Sequence, residues 1–226
     1  MKRLRDVVMP ATAGSTPPAE QPTAACGGSA RSADTWTSIV PTLHSSRLTL
    51  RGLLSGDAES LFELLTTEPV GQFILPPPSS VERFERFIQW THHQHQGGRQ
   101  FCFGIVPAGH DAAVGLIQVR RETASASTAE WGFALSERFW GTGLFVASAE
   151  LLLSFLFETA GIHRLEARTI VDNGRANGAM RKLGATQEGR LRRGFRRDGE
   201  SLDQYLWSIL ADEWLSSRAI PRRAAA

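Results

Sequence analysis

Gly141 and Gly143 stand one residue apart, immediately before an apolar run from Leu144 to Phe157, and no other feature constrains this chain as much. Glycine lets a chain turn sharply and lets backbone N–H groups approach a ligand with no Cβ in the way. The first turn of a helix carries N–H groups without intrahelical partners, and its dipole favours negative charge. A glycine turn opening a helix is therefore an anion site, most often for phosphate. Two phosphate motifs are excluded. The third glycine of G-x-G-x-x-G would fall at Val146, and no Lys follows as a Walker loop requires. What remains is R-x-x-G-x-G beginning at Arg138, preceded by a strand-like run from Thr128 to Leu135. A glycine-rich helix start without a ligand is the alternative reading.

At 226 residues the chain is long enough for one sizeable core, and 42% hydrophobic with 21% charged residues is a globular balance. A net charge of +2 does not by itself argue for nucleic acid. Cys26 lies in a polar segment and Cys102 in an apolar one, so a disulfide is not expected, and no Cys/His spacing suits zinc. The longest apolar run is broken by Ser148, Glu150 and Ser154, which argues against a membrane span. The basic start, Met1-Lys2-Arg3, lacks a continuous apolar stretch after it, so a signal peptide is not expected and the cytoplasm is the expected location. Residues 1–38 are rich in Ala, Ser, Thr, Gly and Pro and read as a flexible extension, followed by one domain over 39–216 and a short flexible tail over 217–226.

Along the domain, Arg47–Leu53 alternates as a strand. Asp57 is a helix cap, with Leu61, Phe62, Leu64 and Leu65 as the buried face. A loop stiffened by three prolines, Glu68–Pro78, leads to a second helix capped by Ser79 or Ser80. That helix ends in Thr91-His92-His93-Gln94-His95, read as solvated residues and not as metal ligands, since no acid or Cys lies near. Strands follow over Gln100–Val106, Ala112–Val119 and Thr128–Leu135, forming an antiparallel meander. The apolar helix returns to a parallel strand over His163–Val171. A short helix capped by Asp172 or Asn173 and a last hairpin turning at Arg197-Asp198-Gly199 complete a mixed, mostly antiparallel α+β sheet with helices on both faces.

From Pro41 to Trp214 the chain resembles the GNAT superfamily of acyl-CoA N-acyltransferases, in the branch of the ribosomal-protein alanine N-acetyltransferases (RimJ/RimL-like). The resemblance rests on Ser46-Arg47-Leu48-Thr49-Leu50-Arg51, the R-x-x-G-x-G turn, Asn173 with Lys182-Leu183-Gly184, Glu188-Gly189-Arg190-Leu191-Arg192, and Gly199 with Asp203. It implies a sheet splayed at its centre and acetyl-CoA as co-substrate, with no metal. By that analogy Phe133, Ala134 and Leu135 run beside the pantetheine arm. Arg138, Trp140, Gly141, Thr142, Gly143 and Leu144 cradle the diphosphate, chiefly through main-chain N–H groups. Asn173 either reaches the cofactor or only caps its helix, and a backbone N–H near Ala134 or Leu135 donates to the oxyanion.

The implied reaction is direct attack of a primary amine, on a protein N-terminus or a small molecule, at the thioester. Glu130 is the candidate base, where several relatives carry a glutamate, and Glu166 is the alternate. Both also read as ordinary strand residues. Phe73 is an expected apolar contact for the acceptor. The chain departs from the branch at Ala147, Ala176 and Met180, where relatives carry Glu, Ser and a Tyr acid, so the general acid is unassigned. The arginines between Arg190 and Arg197 read as a solvated hairpin or as contacts for a phosphate, an acidic substrate or RNA. A catalytically silent acyl-CoA-binding domain is the rival function. Membrane and nucleic-acid partners are not expected, and a homodimer is compatible with the sequence.

Overall fold

The structure is a computed structural model and describes residues 39–98, 100–121 and 127–219. The expected extension over 1–38 and most of the expected tail lie outside the described residues. Alternation along β2 (Leu48–Gly52) turns Leu48 and Leu50 inward, and a two-residue strand, β1 (Leu43–His44), pairs with its outer edge. β2 runs antiparallel to β3 (Gln100–Pro107), which pairs with β4 (Gly115–Arg121), which pairs with β5 (Thr128–Leu135).

Every residue of β3 is buried, because the sheet is covered on both sides. On one side lie α1 (Asp57–Leu65) and α3 (Val81–Gln96), packing Leu61, Leu65, Phe84, Phe87 and Ile88 against Cys102 and Leu116. On the other lies α4 (Leu144–Glu158), packing Leu152, Leu153 and Leu156 with Phe101, Phe103, Ile117 and Trp131. Side chains of this kind each contribute about 1.5–3 kcal/mol on burial. An apolar circumference is what a helix laid across a sheet centre requires.

After α4 the chain forms β6 (Arg164–Ile170), parallel to β5, then α5 (Gly174–Lys182), β7 (Thr186–Arg197) and β8 (Glu200–Leu210). The eight strands stand in the order β1-β2-β3-β4-β5-β6-β8-β7. The hairpin turns where expected, with Asp198 at φ 49° and Gly199 at φ 86°. No helix among the described residues is long and apolar enough to cross a membrane.

Four local expectations are corrected. Asp57 does not cap α1: Gly56 holds that position, and the Asp57 carboxylate instead accepts from both Arg51 guanidinium nitrogens and from the N–H groups of Leu54 and Ala113. Of the histidines closing α3, His95 is not solvated, while His92 and His93 stay exposed as expected. His92 Nε2 lies 2.8 Å from the Leu53 carbonyl, and buried His95 contacts the Gln100 carbonyl and the Phe101 ring. Within the proline-rich loop Glu68–Gly71 forms a short helix, α2, started by Pro69 at its first turn. A helix, α6 (Ala211–Ala219), occupies the start of the expected tail, with Trp214 buried against Phe157.

Candidate active site

Thr128–Trp131 of β5 pair with Arg164–Ala167 of β6, and there the ladder stops. β5 stays bonded to β4 as far as Leu135, and β6 stays bonded to β8 as far as Ile170. Each strand is held on its outer side, so the two part on the inner side. Asn177 of α5 supplies hydrogen-bond partners where pairing has ended. Its Nδ2 donates to the carbonyls of Ile170 and Val171 at 3.1 and 2.9 Å, and its Oδ1 accepts from Thr169 Oγ1 and Trp207 Nε1.

The gap opens into a cleft of ≈ 410 Å³ that runs along the start of α4 to the glycine turn. Phe133, Ala134 and Leu135 form its strand wall, and Gly141 and Gly143 its far end. Gly174, Ala176, Gly178 and Ala179 line it from α5, a face without bulk. Gly141 and Gly143 have φ of 75° and 79°, values that glycine adopts without penalty. In the turn, Leu144 N–H is taken by Thr142 Oγ1 and Trp140 N–H by the Glu137 carbonyl. Among the described residues, the N–H groups of Gly141, Thr142, Gly143, Phe145 and Val146 form no such bond. They stand at the positive end of a 15-residue helix, with Arg175 and Lys182 on the facing wall. This donor set, two cations and a run of unpaired strand fit a diphosphate with a polar, extended arm.

Of the residues read from sequence, Phe73, Phe133, Ala134, Leu135, Trp140, Gly141, Gly143 and Asn173 line this one cleft. Thr142 and Leu144 belong to the turn, where the Thr142 hydroxyl also donates to the Phe139 carbonyl. The side chain of Arg138 points elsewhere. It is 68% exposed and pairs with Glu63 at 3.4 Å, beside a different hollow. Asn173 caps α5 through Oδ1, which accepts from Ala176 N–H, while its residue also borders the cleft. Trp140 is fixed by Nε1–H donation to the Leu135 carbonyl and by Arg175, 4.2 Å above its ring.

Arg47 gave no functional signal in the sequence. Its Nη2 donates to the Thr142 carbonyl at 3.0 Å across 95 residues, bracing the turn from behind. No local pattern announces a contact of that range.

A smaller cavity of ≈ 70 Å³ lies at the mouth of the gap, between Gln118, Gly132, Arg168 and Gln204, under Phe73, Ile74 and Phe195. Glu130 lies one strand repeat before Gly132 on the same sheet face and lines neither cavity. Its Oε2 accepts from Arg120 at 3.3 Å, and its Oε1 stands 3.9 Å from Arg168 Nε, too far for a hydrogen bond. Burial pushes the Glu130 carboxyl above the ordinary glutamate range by more than Arg168 and Arg120 pull it down. Glu166 is tied to Arg164, which also grips Glu188. The two arginine bonds and the Ser208 hydroxyl hold Glu188 down at about 2.

The sequence model of the Acetyltransferase (GNAT) domain matches residues 47–186. The chain is 25% identical over 174 residues to the uncharacterized N-acetyltransferase p20 of Bacillus licheniformis, covering 76% of this chain and 98% of that protein. It is 22% identical over 125 residues to the ribosomal protein uS5 alanine N-acetyltransferase of Escherichia coli, covering 55% and 64%. Among solved structures, the ribosomal L7/L12 alpha-N-protein acetyltransferase RimL superposes with a TM-score of 0.69 at 22% identity, covering 76% of this chain and 96% of that one. A matching domain over most of the described chain, on a sheet that splays beside a glycine turn, makes this protein a member of the GNAT acetyltransferase family.

Proposed function

We propose that the protein transfers the acetyl group of acetyl-CoA to a primary amine. The observation that carries this reading is continuity: the strand gap leads by one cleft to the unpaired amides of the glycine turn. Bound acetyl-CoA would supply an activated thioester carbonyl. Gly141, Thr142, Gly143, Phe145 and Val146 would hold its diphosphate through N–H groups, with Arg175 and Lys182 nearby. The unpaired side of β5 from Gly132 to Leu135 would orient the arm, and one of its N–H groups would donate to the developing oxyanion.

The amine must lose a proton before it attacks. Glu130 is suited to receive it through solvent, because Oε2 is held by Arg120 while Oε1 has no hydrogen-bond partner. A carboxylate with a raised pKa is the better base near neutral pH. Met180, fully buried, offers no acid at its position, so the thiolate leaves without a named donor, which its low basicity allows. The relatives that modify ribosomal proteins make a protein N-terminus one acceptor to try, beside small amines.

The test is thiol release from acetyl-CoA with a panel of amino acids, peptides, polyamines and aminoglycosides, read beside calorimetric binding of coenzyme A. Saturable release with one amine class is expected. Failure of coenzyme A to bind, or binding that survives filling the cleft by Gly178→Leu, would remove this reading.

A further inference from the structure

Buried polar side-chain atoms without partners collect around the small cavity. Gln118 Nε2, Arg168 Nε and Gln204 Oε1 have no hydrogen-bond partner among the described residues, although Gln118 and Gln204 are only 3% and 2% exposed. A buried polar atom left unpaired costs about 1–3 kcal/mol, so a cluster of them calls for an explanation. The strand register sets them around one point. Gln118 sits opposite Gly132, and one step past the last β5–β6 pair Gly132 comes level with Arg168. Since glycine has no side chain, Gln118 and Arg168 face each other over it. Gln204 pairs with Ile170 on the next strand and turns to the same face.

The roof is built as well. Between Leu191 and Phe195 the β7–β8 register slips, with Arg193 at φ 53° and its N–H held by Asp203 Oδ1. The bulge turns Phe195 inward, 3% exposed, over the cavity. Arg197 Nη1 then donates to the Ile74 carbonyl at 3.2 Å, fastening the hairpin to the loop that carries Phe73.

We propose that Gln118, Arg168 and Gln204 form the acceptor subsite and select a small free α-amino acid. Two donors, one of them cationic, match the two oxygens of a carboxylate, and the Gln204 carbonyl matches an ammonium on the adjacent carbon. The ≈ 70 Å³ under Phe195 and Phe73 suits a side chain no larger than that of alanine or serine. Arg120 and Arg168 together disfavour polycations, and the fastened roof leaves a peptide no exit. The proposal rests on the amine-acetylation reading. The amine nitrogen bonds to the acetyl carbon as the C–S bond breaks and sulfur keeps the electron pair. Of the two protons the ammonium loses, one goes to the thiol and one to solvent.

Two measurements separate this subsite from the reaction itself. Calorimetry of the full chain with coenzyme A bound, titrated with alanine, alaninamide, an alanine-initiated peptide and spermidine, reads the subsite alone. Thiol release reads transfer. Alanine is expected to bind at least 10-fold more tightly than alaninamide, and Arg168→Gln to abolish that ratio while Arg168→Lys keeps most of it. Gln118→Leu and Gln204→Leu are expected to raise the acceptor KM about 10-fold with the acetyl-CoA KM unchanged. An altered Glu130 environment would move the pH profile for every acceptor and leave the acid-to-amide ratio alone. Alanine binding without thiol release would uphold the subsite and remove the transfer reading. Peptide or spermidine turnover without alanine binding would overturn the subsite and keep transfer.

Discussion

Glu130 Oε1 and Arg168 Nε stand 3.9 Å apart at the step where β5 and β6 cease to pair, each without a hydrogen bond on that atom. The strand separation that opens the cleft therefore also keeps this carboxylate from closing onto its cation. Glu130→Gln is expected to lower kcat by about 10²–10⁴-fold, the usual contribution of a positioned base. The acetyl-CoA KM should hold. In the parent protein kcat/KM should fall on an acid limb lying above 4.5, the ordinary glutamate value, because burial raises the Glu130 carboxyl. The stability sign is opposite. A folded-state value raised above the unfolded one favours the fold below 4.5 and loses that contribution as pH rises through the folded value. The variant should thus melt higher than the parent at neutral pH, and an unchanged rate would remove Glu130 from the base role.

Gly141 and Gly143 are expected to resist any side chain for conformational reasons. A Cβ on Gly141 meets nothing within 4 Å, and one on Gly143 comes only to 3.6 Å from Arg47 Nη1. Space is available, but left-handed φ costs a residue with a Cβ about 1–2 kcal/mol. Each glycine-to-alanine change should weaken coenzyme A about 10-fold by calorimetry with little change in kcat at saturation. Arg47→Ala should act in the same direction through the Thr142 carbonyl, with a smaller effect.

What could be read from the residues, and what could not, follows from range. The glycine turn, the apolar helix and the meander are local patterns of spacing, and they set the cleft in place. β1 escaped because two residues show no period, and α2 because prolines mask a single turn. Asp57 reads as a cap because it is a favoured cap residue one position inside the helix, but its partner on β2 outcompetes the helix end. Arg47, Arg168 and Gln204 gave no site signal, since their roles arise from strands brought together across the sheet. Arg138 belongs to the motif, yet its side chain finds Glu63.

Asn177 should matter more to the fold than any other polar residue of α5. It is 3% exposed, and its replacement by Leu would take the Asn177 partner from the Val171 carbonyl and from the Thr169 hydroxyl, while the Ile170 carbonyl keeps the Asn173 N–H and Trp207 Nε1 keeps Thr169 Oγ1. A loss of about 1–3 kcal/mol for an unpaired buried group is the expectation, read as a lower urea midpoint at constant slope. Since the same bonds hold the end of β6 away from β5, coenzyme A affinity should fall with it.

Gly178 offers a contrast in sign. It lies within α5, faces the cleft, and a Cβ there meets nothing within 4 Å. Gly178→Ala should raise stability by about 0.8–1.0 kcal/mol through helix propensity. Gly178→Leu should keep much of that gain while its side chain fills the cleft, lowering coenzyme A affinity. Stability and binding moving apart in one position would identify the small-residue face of α5 as room kept for a ligand.

Asp57 supplies the sharpest test of stability. Its side chain is 2% exposed, and Arg51 beside it is 17% exposed. Burial pushes the Asp57 carboxyl upward, but the Arg51 hydrogen bonds and the N–H groups of Leu54 and Ala113 outweigh it and hold the value below 3.8. A depressed carboxyl contributes stability that is complete above the unfolded value and is lost as pH falls through the folded one. The contribution of Asp57 should therefore persist at pH 5 and fade only below 3.8. Asp57→Ala takes the counter-charge from Arg51, which keeps the Gly52 and Asp111 carbonyls, and the acceptor from the N–H groups of Leu54 and Ala113, and should cost about 3–5 kcal/mol at neutral pH. Replacing both partners, Arg51→Met with Asp57→Leu, should cost less than Asp57→Ala alone, because no buried charge is then left unpaired. Urea unfolding of the two variants decides it: equal losses would mean that the ion pair is not what holds α1 to β2.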